Sequence, residues 1–183
     1  MASFPHAYRD KLAGATRRDG SMGIALGLDD LDAYDRALAL AAQVAADHAY
    51  APYSGYAVGA ALRTRDGVIH IGCNVENAAY GVVLCAEVGA LAAATVAGAG
   101  AAVLTIAVTG RLMSAGTTPD SAAPDSAVVT PCGRCRQLIM EAGHRARHDI
   151  RVLCCNHDLS RVEVFTIAQL LPHGFGPGNL GLG

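Results

Sequence analysis

Residues 85–94 read CAEVGALAAA, and residues 130–139 read TPCGRCRQLI. Each stretch places a cysteine at the start of a helix. Glu87 to Val96 is helical by composition and stopped by Gly98 and Gly100; a second helix runs from about Cys132 to Ala142 and closes at Gly143. Helix N-termini favour negative charge, and a cysteine held there is more easily ionised. The fold has to accommodate two such cysteine-bearing helix starts.

The elements around them follow from pattern. LDDLDAYDRALALAAQVAADHAYAP reads as a helix capped by Asp29 or Asp30, with Leu31, Tyr34, Leu38, Ala41, Ala42 and Ala45 on its apolar face. YAVGAALRTRDGVIHIGCNV reads as two strands joined at Asp66-Gly67, a strong hairpin signal. VLTIAVTG is a central strand, apolar on both faces. Residues 111–127 form a loop rich in Ser, Ala, Pro and Asp, followed by a short strand ending at Thr130. IRVLCC and RVEVFT are strands on either side of an Asn156-His157-Asp158 turn, and IAQLLP is a short helix before a glycine-rich tail. Helices interleaved with strands predict a three-layer α/β/α domain over residues 28–183, with a central mixed sheet of about five strands. Residues 1–27 read as an N-terminal extension of uncertain order.

The chain has 183 residues, 52% hydrophobic and 16% charged, with a formal net charge of −2. That is a globular composition, and it argues against nucleic acid as a partner, because phosphate binding needs clustered Lys and Arg. No secretory signal is visible, so a cytoplasmic location with reduced thiols is expected. The charge-free run from Val88 to Gly110 is long enough to span a bilayer. Its Ala, Gly and Thr content and the GAGAA interruption read instead as a buried helix followed by a buried strand.

With reduced thiols, the six cysteines serve burial, metal binding or catalysis. Cys132-x-x-Cys135 lets two thiolates from one helix start reach one ion, and Cys85 supplies a third from another. A catalytic zinc keeps three protein ligands and leaves a fourth position open. Glu87, two residues past Cys85, can lean over such an ion without binding it, where a proton carrier belongs. From spacing alone two other readings stand: a dithiol redox pair, or a structural four-cysteine site completed by Cys73, Cys154 or Cys155.

The motifs APYSGYAVGAAL, GCNVENAAYG, CAE, PCGRCRQ and QLLPHGFGPGNL occur in one order, and together they resemble the small zinc-dependent cytidine deaminases from about Leu31 to Leu180. The resemblance implies one Zn2+ per subunit on Cys85, Cys132 and Cys135, with Glu87 carrying protons for the replacement of the amino group at C4 of a cytosine nucleoside. It implies backbone contacts from Ala86 and Thr130 to the groups around C4, Tyr56 flanking the pyrimidine, and Asn74 and Glu76 on the ribose 3′-hydroxyl. Asn74 and Glu76 alternate along an extended strand end and so face the same way. Tyr80 and Phe175 resemble positions that reach the site from a neighbouring subunit, which implies a homotetramer. The activity implied is hydrolysis of cytidine and 2′-deoxycytidine, with a nucleoside as partner and neither nucleic acid nor membrane.

The pattern departs from the family at position 88, where many members carry arginine and this chain has Val88. Three thiolates around Zn2+ leave a net −1, a poor Lewis acid unless nearby positive charge offsets it. Arg134, between the two cysteines of the pair, is the candidate for that role, beside the two helix dipoles. An apolar residue after Cys-Ala-Glu together with Cys-Gly-Arg-Cys also resembles the blasticidin-S deaminases, so a modified cytosine nucleoside is the alternative substrate. Cys73, Cys154 and Cys155 fall on strands and read as core. His144 and His148 lie past the expected helix end and receive no role.

Overall fold

A computed structural model describes residues 24–113 and 127–182. In chain order the regular elements are β1 (Ile24–Leu26), α1 (Ala33–Ala46), β2 (Tyr56–Thr64), β3 (Ile69–Cys73), α2 (Ala86–Val96), β4 (Val103–Leu112), α3 (Gly133–Ala146), β5 (Arg151–Cys155), β6 (Val162–Thr166) and α4 (Ile167–Leu170). They form one sheet in the order β1-β6-β5-β4-β2-β3. β4 and β5 run parallel, and the other neighbours pair antiparallel. A parallel pair needs a long crossover, and α3 lies on it.

The sheet has six strands, where about five were expected. The additional one is β1, from the stretch read as an extension; three residues are too few for a periodicity. It exists because the edge of β6 offers backbone partners, with Ile24 opposite Val164 and Leu26 opposite Val162.

Alternation along the strands divides the core in two. Ala61, Ala107, Leu153, Cys155, Val162 and Val164 face Leu38, Ala39 and Ala42 of α1. Ala60, Leu62, Ile106, Val108, Val152 and Cys154 face Ala86, Ala90 and Ala94 of α2 and Ile139 and Ala142 of α3. The three layers are therefore α1, the sheet, and α2 with α3. Cys154 and Cys155 are fully buried on opposite faces, whereas Cys73 is only partly covered.

Glycine sets how closely the helices approach. A Cβ on Gly72 of β3 would stand 2.4 Å from both the Ala86 carbonyl oxygen and the Ala90 nitrogen. The first turns of α2 thus lie directly on the strand. Gly59 of β2 does the same for α1 on the opposite face, 2.0 Å from the Ala42 carbonyl oxygen.

Local details differ from the sequence reading for identifiable reasons. Asp32, not Asp29 or Asp30, caps α1, its Oδ1 accepting from the Asp35 N–H at 2.8 Å; Leu28–Asp30 forms a separate 3-10 turn. Tyr34 is exposed and its ring carries the Arg63 guanidinium 5.2 Å from the centroid. The hairpin turns at Gly67, φ +87, as its residues require. α3 runs through Gly143 to Ala146 and ends on Arg147 in the left-handed region, so His144 lies within the helix. Residues 127–130 form no strand; Val129 donates one hydrogen bond to the Cys155 carbonyl at 3.1 Å. Most of the expected loop at 111–127 lies outside the described residues, while its first two residues extend β4.

Candidate active site

Cys85 is the N-cap of α2 and Cys132 the N-cap of α3, and Cys135 lies in the first turn of α3. The two helix starts converge, and the three Sγ atoms lie within 4.8 Å of one another. Among the described residues this is the only such group of three possible metal-ligating side chains. Burial, and the nearby charges of Cys132 and Glu87, push the Cys85 thiol above its usual value. Burial and the Glu87 charge push Cys135 up strongly. At Cys132 desolvation acts upward too, but hydrogen bonding with Cys135 and Cys85 outweighs it and the net shift is downward. Three thiolates cannot share this space without a cation.

Glu87 is 4% exposed on the second residue of α2. Burial raises its carboxyl above the usual range, so it is poised to hold a proton as well as release one. It lies on a cavity of about 200 Å3 together with Asn74, Ala86, Thr130, Cys85 and Cys132; Val58, Val83 and Val129 complete the wall. The structure thus gathers seven of the residues singled out from the sequence (Cys85, Cys132, Cys135, Glu87, Asn74, Ala86 and Thr130) at one place.

Asn74 is 9% exposed, and its amide is engaged by the start of β2: Oδ1 accepts from the Val58 N–H at 2.8 Å and Nδ2 donates to the Tyr56 carbonyl at 2.9 Å. It holds the strand edge that walls the cavity, with one N–H and one lone pair left for a ligand. Glu76 lines an adjoining cavity of about 290 Å3 with Tyr53, Ser54, Tyr80 and Val83. Val83 borders both cavities. Glu76 Oε2 accepts from the backbone N–H groups of Tyr53 at 2.8 Å and Ser54 at 3.1 Å. Desolvation acts to raise its carboxyl, but hydrogen bonds from the Ser54 side chain and these N–H groups prevail and lower it. Tyr80 and Tyr53 meet edge to face, centroids 6.0 Å apart, across this second cavity.

Three expected site residues stand apart. Tyr56 shares a face with Val58 and lays its ring against Gly110, lining neither cavity. Phe175 is 58% exposed on the C-terminal segment, where its carbonyl accepts from Gln137 Nε2 at 2.6 Å. Arg134 is exposed and donates from Nη1 to the Val83 carbonyl at 3.2 Å. Sequence reading missed the valines that wall the cavity and the side chain of Arg136, described below. The valines carry no signal apart from ordinary strand and loop residues. Arg136 was visible inside CGRCRQ.

The donor set suits zinc. A tetrahedral ion with Zn–S near 2.3 Å requires sulfurs roughly 3.8 Å apart, and the three thiols are within 4.8 Å on two helix starts. Three cysteine thiols with a buried carboxylate beside them, opening on a cavity, fit the three-ligand pattern of a catalytic zinc site better than a closed structural one.

Comparison with known proteins agrees. Residues 33–148 match the family described as "Cytidine and deoxycytidylate deaminase zinc-binding region". The cytidine deaminase of Mycobacterium tuberculosis (strain CDC 1551 / Oshkosh) is 37% identical over 136 residues, 74% of this chain and 85% of that protein. That of Sporosarcina psychrophila is 35% identical over 136 residues, 74% of this chain and 87% of that protein. The crystal structure of cytidine deaminase from Burkholderia pseudomallei superposes with a TM-score of 0.64 at 39% identity, covering 76% of this chain and 97% of that one. The chain belongs to the cytidine and deoxycytidylate deaminase zinc-binding family.

Proposed function

We propose that this protein hydrolyses cytidine and 2′-deoxycytidine to uridine and 2′-deoxyuridine, releasing ammonia. The observation that carries the reading is Glu87, buried on a cavity wall beside three converging cysteines. Cys85, Cys132 and Cys135 would hold zinc, which when bound acts as a Lewis acid and makes its water acidic near neutral pH. Glu87 accepts one proton of the attacking water and passes it to ring N3; it then takes the remaining proton of the hydroxyl added at C4 and gives it to the amine, so that the C4–N bond breaks, the C4 carbonyl forms and ammonia leaves. The Ala86 backbone and the Thr130 carbonyl orient the groups at and beside C4. Asn74 and Glu76 take the ribose 3′-hydroxyl, with Arg134 offsetting thiolate charge. The relatives favour cytidine over the modified-nucleoside alternative.

No Lys or Arg occurs among the described residues lining the two cavities, and Glu76 places a negative charge in the second. A 5′-phosphate finds no partner there, which favours nucleosides over nucleotides. Tyr80 is 73% exposed and Val82 67%, an apolar rim beside the site that suits contact with further copies. We therefore include a homotetramer in the proposal, with Tyr80 and Phe175 completing neighbouring sites. Six free thiols fit the reducing cytoplasm, and no helix among the described residues is long and apolar enough to cross a membrane. The test is loss of cytidine ultraviolet absorbance, with zinc content measured on the same sample. One equivalent of zinc without turnover refutes the activity.

A further inference from the structure

Arg136 follows Cys135 on α3, and its side chain turns back over the loop that enters the helix. Nε donates to the Pro131 carbonyl at 2.8 Å, Nη1 to the Leu170 carbonyl at 3.2 Å, and Nη2 lies 3.4 Å from Thr130 Oγ1. One guanidinium thus joins the residues just before Cys132 to the end of α4. Among the described residues, neither Thr130 nor Pro131 takes part in a backbone–backbone hydrogen bond. Among the described residues the backbone of the loop that delivers Cys132 is tied to the sheet only at Val129, whose N–H donates to the Cys155 carbonyl at 3.1 Å, and the Thr130–Pro131 stretch has no such bond. Arg136 supplies the hold for that stretch.

We propose that Arg136 is a positioning residue for the metal centre: it fixes Thr130 and Pro131 so that the Cys132 sulfur meets those of Cys85 and Cys135. A planar, permanently charged fork suits the task, because it serves separate acceptors from one rigid group while losing little side-chain freedom. An ammonium at this position is a point charge on a flexible stem and cannot reproduce the fork. The inference rests on the zinc deaminase reading for its consequence in turnover, but not for its effect on the thiol cluster.

The experiment uses the full chain as wild type, Arg136→Gln, Arg136→Lys and Gln137→Ala. Cobalt(II) is titrated into metal-free protein while thiolate-to-cobalt charge-transfer absorption is followed, zinc affinity is measured by chelator competition, and kcat and KM for cytidine are determined. Outer partners of metal ligands typically contribute about 10- to 100-fold in affinity or activity. Arg136→Gln is expected to lose at least about 10-fold in metal affinity, with an altered charge-transfer spectrum and a fall in kcat larger than any rise in KM. Arg136→Lys recovers only part of this. Gln137→Ala cuts the neighbouring tie to Phe175 and leaves metal affinity within about twofold, the usual reach of a surface change.

Wild-type affinity and spectrum in Arg136→Gln overturn the proposal, and so does full rescue by lysine. If Arg136→Gln does not fold by circular dichroism, Arg136→Lys carries the decision. Wild type that binds cobalt through thiolates but leaves cytidine untouched refutes the deaminase reading alone, and the affinity series still decides Arg136. Wild type that shows no thiolate–cobalt band overturns both.

Discussion

Adding one methyl group to Gly72 should damage the site more than the fold. The new Cβ would stand 2.4 Å from two backbone atoms of α2 and 2.8 Å from a third, the Gly89 carbonyl carbon. Ordinary contact begins near 3.4 Å, so α2 must retreat by about 1 Å. Overpacking of this kind costs about 1–3 kcal/mol, or a fall in Tm of roughly 2–4 °C per kcal/mol for a domain of this size. α2 carries both Cys85 and Glu87, while Cys132 and Cys135 ride on α3. The retreat therefore separates one thiol from the other two and draws the proton carrier back from the substrate. Displacements near 1 Å can cost on the order of 100-fold in rate. Gly59→Ala is the comparison, since it forces α1 away from the opposite face with an equal or worse clash, 2.0 Å from the Ala42 carbonyl oxygen. Thermal unfolding and cytidine turnover at full zinc loading are measured on both. Gly72→Ala should show the larger loss of kcat and Gly59→Ala an equal or larger loss of Tm. Equal losses of kcat, or an unchanged kcat in Gly72→Ala, would refute the argument that Gly72 places the chemistry.

Glu87→Gln keeps the ligands and should keep zinc while turnover falls by at least about 100-fold, the lower end of what a proton carrier contributes; activity within about tenfold of wild type removes it from that role. Glu76→Gln preserves an acceptor for the Tyr53 and Ser54 N–H groups but removes the charge, so KM for cytidine should rise by roughly tenfold, the difference between a charge-assisted and a neutral hydrogen bond. A 3′-deoxy analogue should be much less affected, and equal changes for both nucleosides would take Glu76 off the ribose. Arg134→Ala should lower turnover and move the acid limb of the pH–rate profile upward, because less positive charge beside the thiolates makes the bound water less acidic; an unchanged profile at full zinc occupancy leaves Arg134 as the anchor of Val83 only. Sedimentation at falling protein concentration should show a tetramer, and a monomer with full activity would contradict completion of the site by Tyr80 and Phe175 of other copies.

The residues with local chemistry were legible in the sequence. Cys132-x-x-Cys135 and Cys85 at helix starts, Glu87 beside them, the Asp66-Gly67 turn and the alternating strands are short-range patterns, set by side-chain period and backbone preference. The hairpin and the first two turns of α2 and α3 follow from them directly. Long-range pairing was not legible. β1 exists because β6 has an edge to offer, and Asp32 displaces Asp29 and Asp30 as a cap because the chain first makes a 3-10 turn. Gly143 does not stop α3; the helix ends four residues later on Arg147. The meeting of Cys85 with the other two thiols depends on β3 carrying a glycine where α2 crosses it. The sequence shows Asn74 and Glu76 only as polar residues two positions apart after a strand. Only the folded chain shows that each also holds backbone, Asn74 the start of β2 and Glu76 the turn at Tyr53 and Ser54. Arg136 illustrates the division. Its place after Cys135 is a fact of sequence and its reach to the Pro131 carbonyl is local, but the Leu170 carbonyl comes within its reach only when α4 packs against α3. A side chain's partners lie in segments distant along the chain, and their approach is decided by the packing of the layers rather than by any local preference.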